Sequence, residues 1–258
     1  MPTFTLVTGA STGIGRELAT LCAAHQRNLV LVARSENKLT SLADSLRSEH
    51  GVRVEVLVQD LGEPGAAEKT RAEVTARGLD VDALINNAGF GYLGSFDQAE
   101  AGNQLEMVQL NITALTHLTR LFLPEMVERG RGRILNVAST ASFQPGPFMA
   151  VYYATKAYVL SFSEALTEEL RGTGVTVTAL CPGVTATEFQ ARAKMADSGL
   201  IRLGMQDASF VAKVGYRAMV KGKAVAIPGL VNRFLVLLVR LSPRFAVRRV
   251  VRHLNLGN

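Results

Sequence analysis

Residues 3–25 read "TFTLVTGASTGIGRELATLCAAH", and this stretch decides the architecture. An apolar, β-branched run ends at Thr8, glycines stand at 9, 13 and 15, and apolar residues then recur at helical spacing from Leu18. A strand that turns through glycines into a helix brings unpaired N–H groups and the positive end of the helix to the turn, where a phosphate fits. The spacing is G-x-x-x-G-x-G rather than G-x-G-x-x-G, and a purely structural turn would read much the same. Its place on the first strand favours dinucleotide binding. The candidate contacts are Gly9, Ser11, Thr12, Gly13, Ile14 and Gly15.

Six more runs of the same kind follow: 28–34 "NLVLVAR", 52–60 "VRVEVLVQD", 82–89 "DALINNAG", 132–139 "GRILNVAS", 175–183 "VTVTALCPG" and 224–229 "AVAIPG". Several are apolar almost throughout, as strands covered on both faces must be. Between them lie helical patterns such as 110–127 "LNITALTHLTRLFLPEMV". Strand and helix in alternation predict a doubly wound α/β fold of Rossmann type: a parallel sheet of about seven strands with helices on both faces. With no repeat or linker, residues 1–258 are expected to form a single domain.

The composition agrees, with 48% hydrophobic and 19% charged residues. Cys22 and Cys181 both sit among apolar neighbours, which argues against a disulfide framework and for a reducing, cytoplasmic setting. The first residues show no basic region leading into a long apolar stretch, so no signal peptide is expected. Nor is there a run of about 18 apolar residues to span a bilayer. The net charge of +6 is uneven: after Asp207 come ten lysines and arginines and no acid, leaving 18 basic against 22 acidic residues before it. The body is slightly acidic, which makes nucleic acid an improbable partner.

In such a sheet, ligands bind beyond the carboxyl ends of the strands. The second strand delivers Ala33 and Arg34 there. An acid at this point accepts from the ribose 2′-OH of NAD, whereas an arginine pairs with the 2′-phosphate of NADP, so NADP(H) is expected in preference to NAD(H). The third strand delivers Asp60 and Leu61 to the adenine side, although Asp60 serves equally well as a turn or cap. The fourth delivers Asn87, Ala88 and Gly89, the fifth Ser139, and the sixth Pro182 and Gly183.

Residues 151–158, "VYYATKAY", add three tyrosines and a lysine within two helical turns. Tyr152 and Lys156 are related as i, i+4 and Tyr153 and Lys156 as i, i+3, so both tyrosines neighbour the lysine and spacing leaves the choice open. A phenol brought near neutrality is an efficient proton carrier. Ser139 would place a hydroxyl donor where a substrate carbonyl sits, and alternatively caps the following turn.

Taken in order, "TGASTGIG", "NNAG", Asn111, Ser139, "YYATK" and "PGVTAT" resemble the short-chain dehydrogenase/reductase family in its compact form, over residues 8–187. The resemblance implies an NADP-dependent oxidoreductase acting on a carbonyl or alcohol. The family pattern Y-x-x-x-K then selects Tyr152 as acid/base. It implies that Lys156 holds the nicotinamide ribose and lowers the phenol's pKa, that Ser139 binds the substrate oxygen, and that Asn111 anchors a proton-relaying water. Gly183, Val184 and Thr185 would pass beneath the carboxamide, and Thr187 would bind the amide or the pyrophosphate. No metal is expected. Residues of about 184–206 would form a substrate lid, and Phe90, Tyr92, Phe143, Phe148 and Phe189 an apolar substrate wall, or else ordinary core. Homodimers or homotetramers are the family's usual assemblies.

The rival reading is a non-catalytic dinucleotide-binding sensor or scaffold, against which the complete Asn, Ser, Tyr and Lys set argues. Epimerisation or dehydration of a sugar nucleotide usually needs a further carboxy-terminal domain, for which too little chain remains. The basic extension of about 230–258 contains "SPRFAVRRVVRHLNL", with valines 247, 250 and 251 and Leu254 on one helical face. Covering its own domain or a neighbouring subunit is the preferred role for this helix, and peripheral contact with an anionic membrane is the alternative.

Overall fold

Alternation within the apolar runs builds the sheet. In the second run Leu29 and Leu31 point to one face and Val30 and Val32 to the other, and all four are fully buried. In the computed structural model, which describes residues 2–193, 199–202 and 204–256, all seven runs become strands. They are β1 (Thr3–Thr8), β2 (Asn28–Ala33), β3 (Val54–Val58), β4 (Asp80–Asn86), β5 (Gly132–Val137), β6 (Val175–Leu180) and β7 (Val225–Ala226). Every neighbouring pair is parallel, in the order β3-β2-β1-β4-β5-β6-β7. Val7 of β1 stands between Leu31 and Ile85, so strand order reverses between β1 and β4 and opens a crevice there. The seventh strand is only two residues long: Pro228, just beyond it, has no N–H to continue the ladder.

The helices are α1 (Gly13–Ala24), α2 (Glu36–His50), α3 (Ala66–Ala76), α4 (Ala101–Val108), α5 (Leu115–Glu128), α6 (Ala150–Glu169), α7 (Phe189–Arg192), α8 (Gly199–Arg202), α9 (Ala208–Val220), α10 (Leu230–Leu241) and α11 (Arg244–Leu256). On one face of the sheet, Leu18 and Cys22 of α1, Leu39 and Ala43 of α2 and Val211 and Met219 of α9 pack with Val7, Leu29 and Leu31. On the other, Ala66 of α3, Met107 of α4, Leu118 and Phe122 of α5 and Leu170 pack with Phe4, Leu6, Val30 and Val32. A fully buried Leu or Phe is worth about 1.5–3 kcal/mol, so the two layers fix the sheet, and the sheet fixes where its strand ends lie.

Two departures from regular geometry bear on the site. A π-helical stretch, Gln109–Ala114, interrupts the run from α4 to α5 and carries Asn111. A short 3-10 turn, Thr140–Phe143, follows β5 and is capped by Ser139, whose hydroxyl oxygen accepts from the Ala141 N–H at 3.1 Å. The expected lid contains α7, α8 and a parallel bridge from Thr185 to Gln206, while its residues 194–198 and 203 lie outside the described residues. Helix α11 folds back on the domain, burying Val247 and Val251 against Ala141, Met149 and Tyr153. The apolar side chains of α10 behave differently: of this helix only Val236 is buried.

Candidate active site

The turn after β1 is held to the turn after β4 by side chains from both. The Thr8 hydroxyl oxygen accepts from the N–H groups of Asn87 and Ala88 at 2.9 and 3.0 Å. The Asn87 amide in return donates to the Thr8 and Gly9 carbonyls at 3.0 and 3.1 Å. Gly13 has φ +54°, and a Cβ there would stand 2.9 Å from the Thr187 methyl. Gly15 admits no side chain at all, since a Cβ would lie 2.3 Å from the Gly9 carbonyl oxygen. The two glycines therefore let α1 begin close against β4 and the segment after β6. The side chain of Thr12, the residue at the start of α1, makes no capping bond, so the amino-terminal N–H groups of α1 face the crevice without an acceptor from it.

That crevice is a cavity of about 410 Å³, within the usual range of ligand pockets. From the first four strand ends it is lined by Gly9, Ser11, Thr12, Gly13, Ile14, Arg34, Asp60, Leu61, Asn87, Ala88 and Gly89. From the fifth and sixth strand ends and α6 come Ser139, Tyr152, Lys156, Pro182, Gly183, Val184, Thr185 and Thr187. Of the expected site residues only Gly15 and Asn111 stand behind this lining. Gly15 is packed beneath the turn, and the Asn111 carbonyl oxygen lies 2.9 Å from where a Cβ on Gly89 would be.

The tyrosines of α6 separate by their partners. The Tyr152 phenol stands beside Ser139, whose hydroxyl donates to the Pro182 carbonyl at 3.4 Å, and burial pushes the phenol above its ordinary pKa, opposed by Ser139. Tyr153 donates its hydroxyl proton to Asn255 of α11 at 3.4 Å. Tyr158 is paired with Thr116 at 3.0 Å and stacked on Phe162, away from the strand ends. The Lys156 ammonium donates to the Val137 carbonyl at 2.7 Å and lies 5.9 Å from the centre of the Tyr152 ring. Burial lowers its pKa to about 8, opposed by nearby Cys181. Cys181 is itself pushed up to about 12, chiefly by burial, which leaves it an inert thiol.

Asn111 uses its whole side chain: the carbonyl accepts from the Phe90 N–H at 3.1 Å, and the amide donates to the Phe90 carbonyl and Thr155 hydroxyl at 2.9 and 3.1 Å. At the opposite end of the cavity Arg34 is 3.3 Å from the Asp60 carboxylate, both partly exposed. Asp60 also accepts from the Gly62 N–H at 2.9 Å, so it holds its own turn as well as facing the cavity.

Sequence reasoning missed Lys38, which also lines the cavity and pairs with Glu188 at 2.8 Å. Its signal was available: it stands in the first turn of α2, the helix that begins directly after the end of β2. Of the five candidate aromatics, Phe189 alone is among the cavity-lining residues, its ring 5.4 Å from that of Tyr152. Phe90 belongs to the core beneath α5. Arginines 240 and 252 of the carboxy-terminal helices cover the rings of Phe143 and Phe148. Met149, which was not anticipated, completes the apolar lining beside Tyr152.

A family model for short chain dehydrogenases matches residues 3–197. The very-long-chain 3-oxoacyl-CoA reductase of Phaeosphaeria nodorum is 37% identical over 179 residues, covering 68% of this chain and 52% of that protein. The chain thus matches only about half the length of that curated relative. A short-chain dehydrogenase from Sphingobium yanoikuyae, solved in complex with NADPH, superposes with a TM-score of 0.83 at 36% identity, covering 92% of each chain. One from Burkholderia phymatum, solved in complex with NAD, superposes with a TM-score of 0.82 at 26% identity, covering 98% of this chain and 96% of the other. Seven parallel strands, a Gly-rich turn on the first of them and a family match over most of the length lead to one conclusion: the chain belongs to the short-chain dehydrogenases, oxidoreductases with a nucleotide-binding fold of Rossmann type.

Proposed function

We propose that the protein interconverts a carbonyl and an alcohol with NADP(H), using Tyr152 as general acid/base. One observation carries this reading: the Tyr152 phenol and the Ser139 hydroxyl line one end of the cavity together, beside the buried Lys156. The other end suits a dinucleotide, because the Thr12 side chain makes no capping bond at the start of α1 and the Gly13 turn leaves no room for a Cβ. Residues 1–258 then act as one dinucleotide-binding unit, with residues of about 184–206 as its cover.

A reduced nicotinamide held beside Lys156 would supply the hydride that reaches the carbonyl carbon. Ser139 and Tyr152 donate hydrogen bonds to the carbonyl oxygen, and the phenol releases its proton to that oxygen as negative charge develops there. Burial keeps the phenol protonated beforehand, the state this direction requires. The Lys156 ammonium, 5.9 Å from the centre of the Tyr152 ring, would stabilise the phenolate that remains. Asn111 has its side chain committed to Phe90 and Thr155, so a water that returns protons to Lys156 would be held by a main-chain group rather than by this amide. Phe189 and Met149 favour an apolar substituent on the substrate. Simple aryl ketones and 3-oxoacyl thioesters are therefore the first substrates to screen.

Preference for NADP(H) rests on Arg34 at the end of β2, with no acid at Ala33 and with Lys38 one turn on. The Asp60 pairing is a half-exposed one, weak enough for a phosphate to displace. A charge-assisted bond is worth about 1.5–3 kcal/mol, so Arg34→Ala is expected to weaken NADPH binding roughly 10- to 100-fold and leave NADH nearly unchanged. Titration of the nicotinamide fluorescence with each coenzyme measures this. Equal losses for both would remove Arg34 from 2′-phosphate recognition.

A further inference from the structure

Helix α10 turns a broad apolar face to solvent. Leu230, Val231, Phe234, Leu237, Leu238 and Leu241 are each half or more exposed, from 50% at Leu238 to 80% at Leu230. At about 100° per residue these six side chains fall within an arc of about 120°, so they form one continuous stripe rather than scattered exposures. The stripe is directional. Val236, on the opposite side, is buried at 6% exposure and fastens the helix to the protein. Arg233 and Arg240 border the arc, and Arg244, Arg248, Arg249 and Arg252 follow on α11, all exposed. After Asp207 the sequence supplies no acidic side chain to pair with any of them.

We propose that this face docks the protein peripherally on an anionic phospholipid surface. Charge selects the occupant. An isologous contact with a second copy would set the same patch against itself, bringing two sets of arginines together with no acid in the segment to neutralise them. A bilayer bearing anionic headgroups accepts the apolar stripe at the acyl boundary and the guanidinium groups at the phosphates. Insertion stays interfacial, since no described helix is long and apolar enough to cross a membrane. Docking would also lie close to the substrate end of the cavity. Arg240 sits over Phe143, 5.4 Å from the ring centre, and Phe143 closes the short turn that begins after Ser139.

The test is co-sedimentation of the full chain with vesicles of phosphatidylcholine alone and of phosphatidylcholine mixed with phosphatidylglycerol. Binding to the mixed vesicles is expected to exceed binding to the neutral ones by about tenfold or more, and to fall as salt is raised. Phe234→Glu/Leu238→Glu should abolish it without changing coenzyme affinity or the unfolding midpoint, because both side chains are exposed. Arg248→Gln/Arg249→Gln should weaken it while leaving the apolar stripe whole. Failure of the folded protein to bind mixed vesicles overturns the proposal, as does binding that survives Phe234→Glu/Leu238→Glu. A dimer that this variant dissociates, in a protein that ignores vesicles, would assign the face to a second copy instead.

Discussion

Tyr152→Phe is expected to lower turnover by about three orders of magnitude or more while leaving the coenzyme dissociation constant within a factor of about two. A positioned proton donor contributes about 10²–10⁴ in rate, and the Tyr152 phenol lines the cavity together with Ser139 and Lys156. Phenylalanine keeps the ring's packing against Tyr153 and Phe189, 6.1 and 5.4 Å away between centres. The fold should therefore be unaffected. What is lost is one hydroxyl. Steady-state turnover on an aryl ketone and fluorescence titration with NADPH separate the two effects. A variant with near-normal turnover would show that another group moves the proton, and Tyr153, paired with Asn255, would be examined next.

Lys156→Met is expected to abolish turnover and at the same time to stabilise the protein lacking coenzyme. The lysine is 6% exposed, and burial drops its pKa from 10.5 to about 8. Below pH 8 it is charged in both the folded and unfolded states, so the folded state carries the full cost of that burial, roughly 3 kcal/mol from the size of the shift. Between pH 8 and 10.5 the unfolded chain binds the extra proton, and wild-type stability rises with pH. Methionine removes the cost but also the bond to the Val137 carbonyl, which returns about 1 kcal/mol. The net gain at pH 7 is therefore about 2 kcal/mol, and it should shrink as the pH rises above 8 and turn into a loss of about 1 kcal/mol beyond pH 10.5. Urea unfolding of both proteins at pH 7 and pH 10 reads it directly. A variant less stable at pH 7 would mean that the ammonium is held by more than one carbonyl can provide.

Much of this was legible in the chain because it depends on local patterns. Several of the runs that became β1 to β6 are apolar almost throughout, and that leaves few arrangements other than a covered parallel sheet. The glycines at 9, 13 and 15 announced a turn at the end of β1, and the strand ends brought Arg34, Asn87, Ser139 and Gly183 to one cavity. Other features rested on contacts far apart in sequence. Tyr152 and Tyr153 look alike beside Lys156. They are told apart by Ser139 on one side and by Asn255, 102 residues away, on the other. The commitment of Asn111 to Phe90 and Thr155 depends on a π-helical turn that no periodicity marks. Phe90 reads as a pocket residue because it adjoins "NNAG", yet it points into the core. Helices α10 and α11 both appear basic and apolar in sequence, and only packing shows that α11 spends its valines on the domain while α10 keeps its stripe outside.

The most direct test of the central claim needs no substrate: the purified protein is titrated with NADPH and with NADH, following the fluorescence of the reduced nicotinamide. The account predicts saturable binding of both, with NADPH at least about tenfold tighter through Arg34. Tighter binding of NADH would contradict the assignment of coenzyme. Binding of neither would contradict the enzyme reading itself and bring the non-catalytic alternative forward.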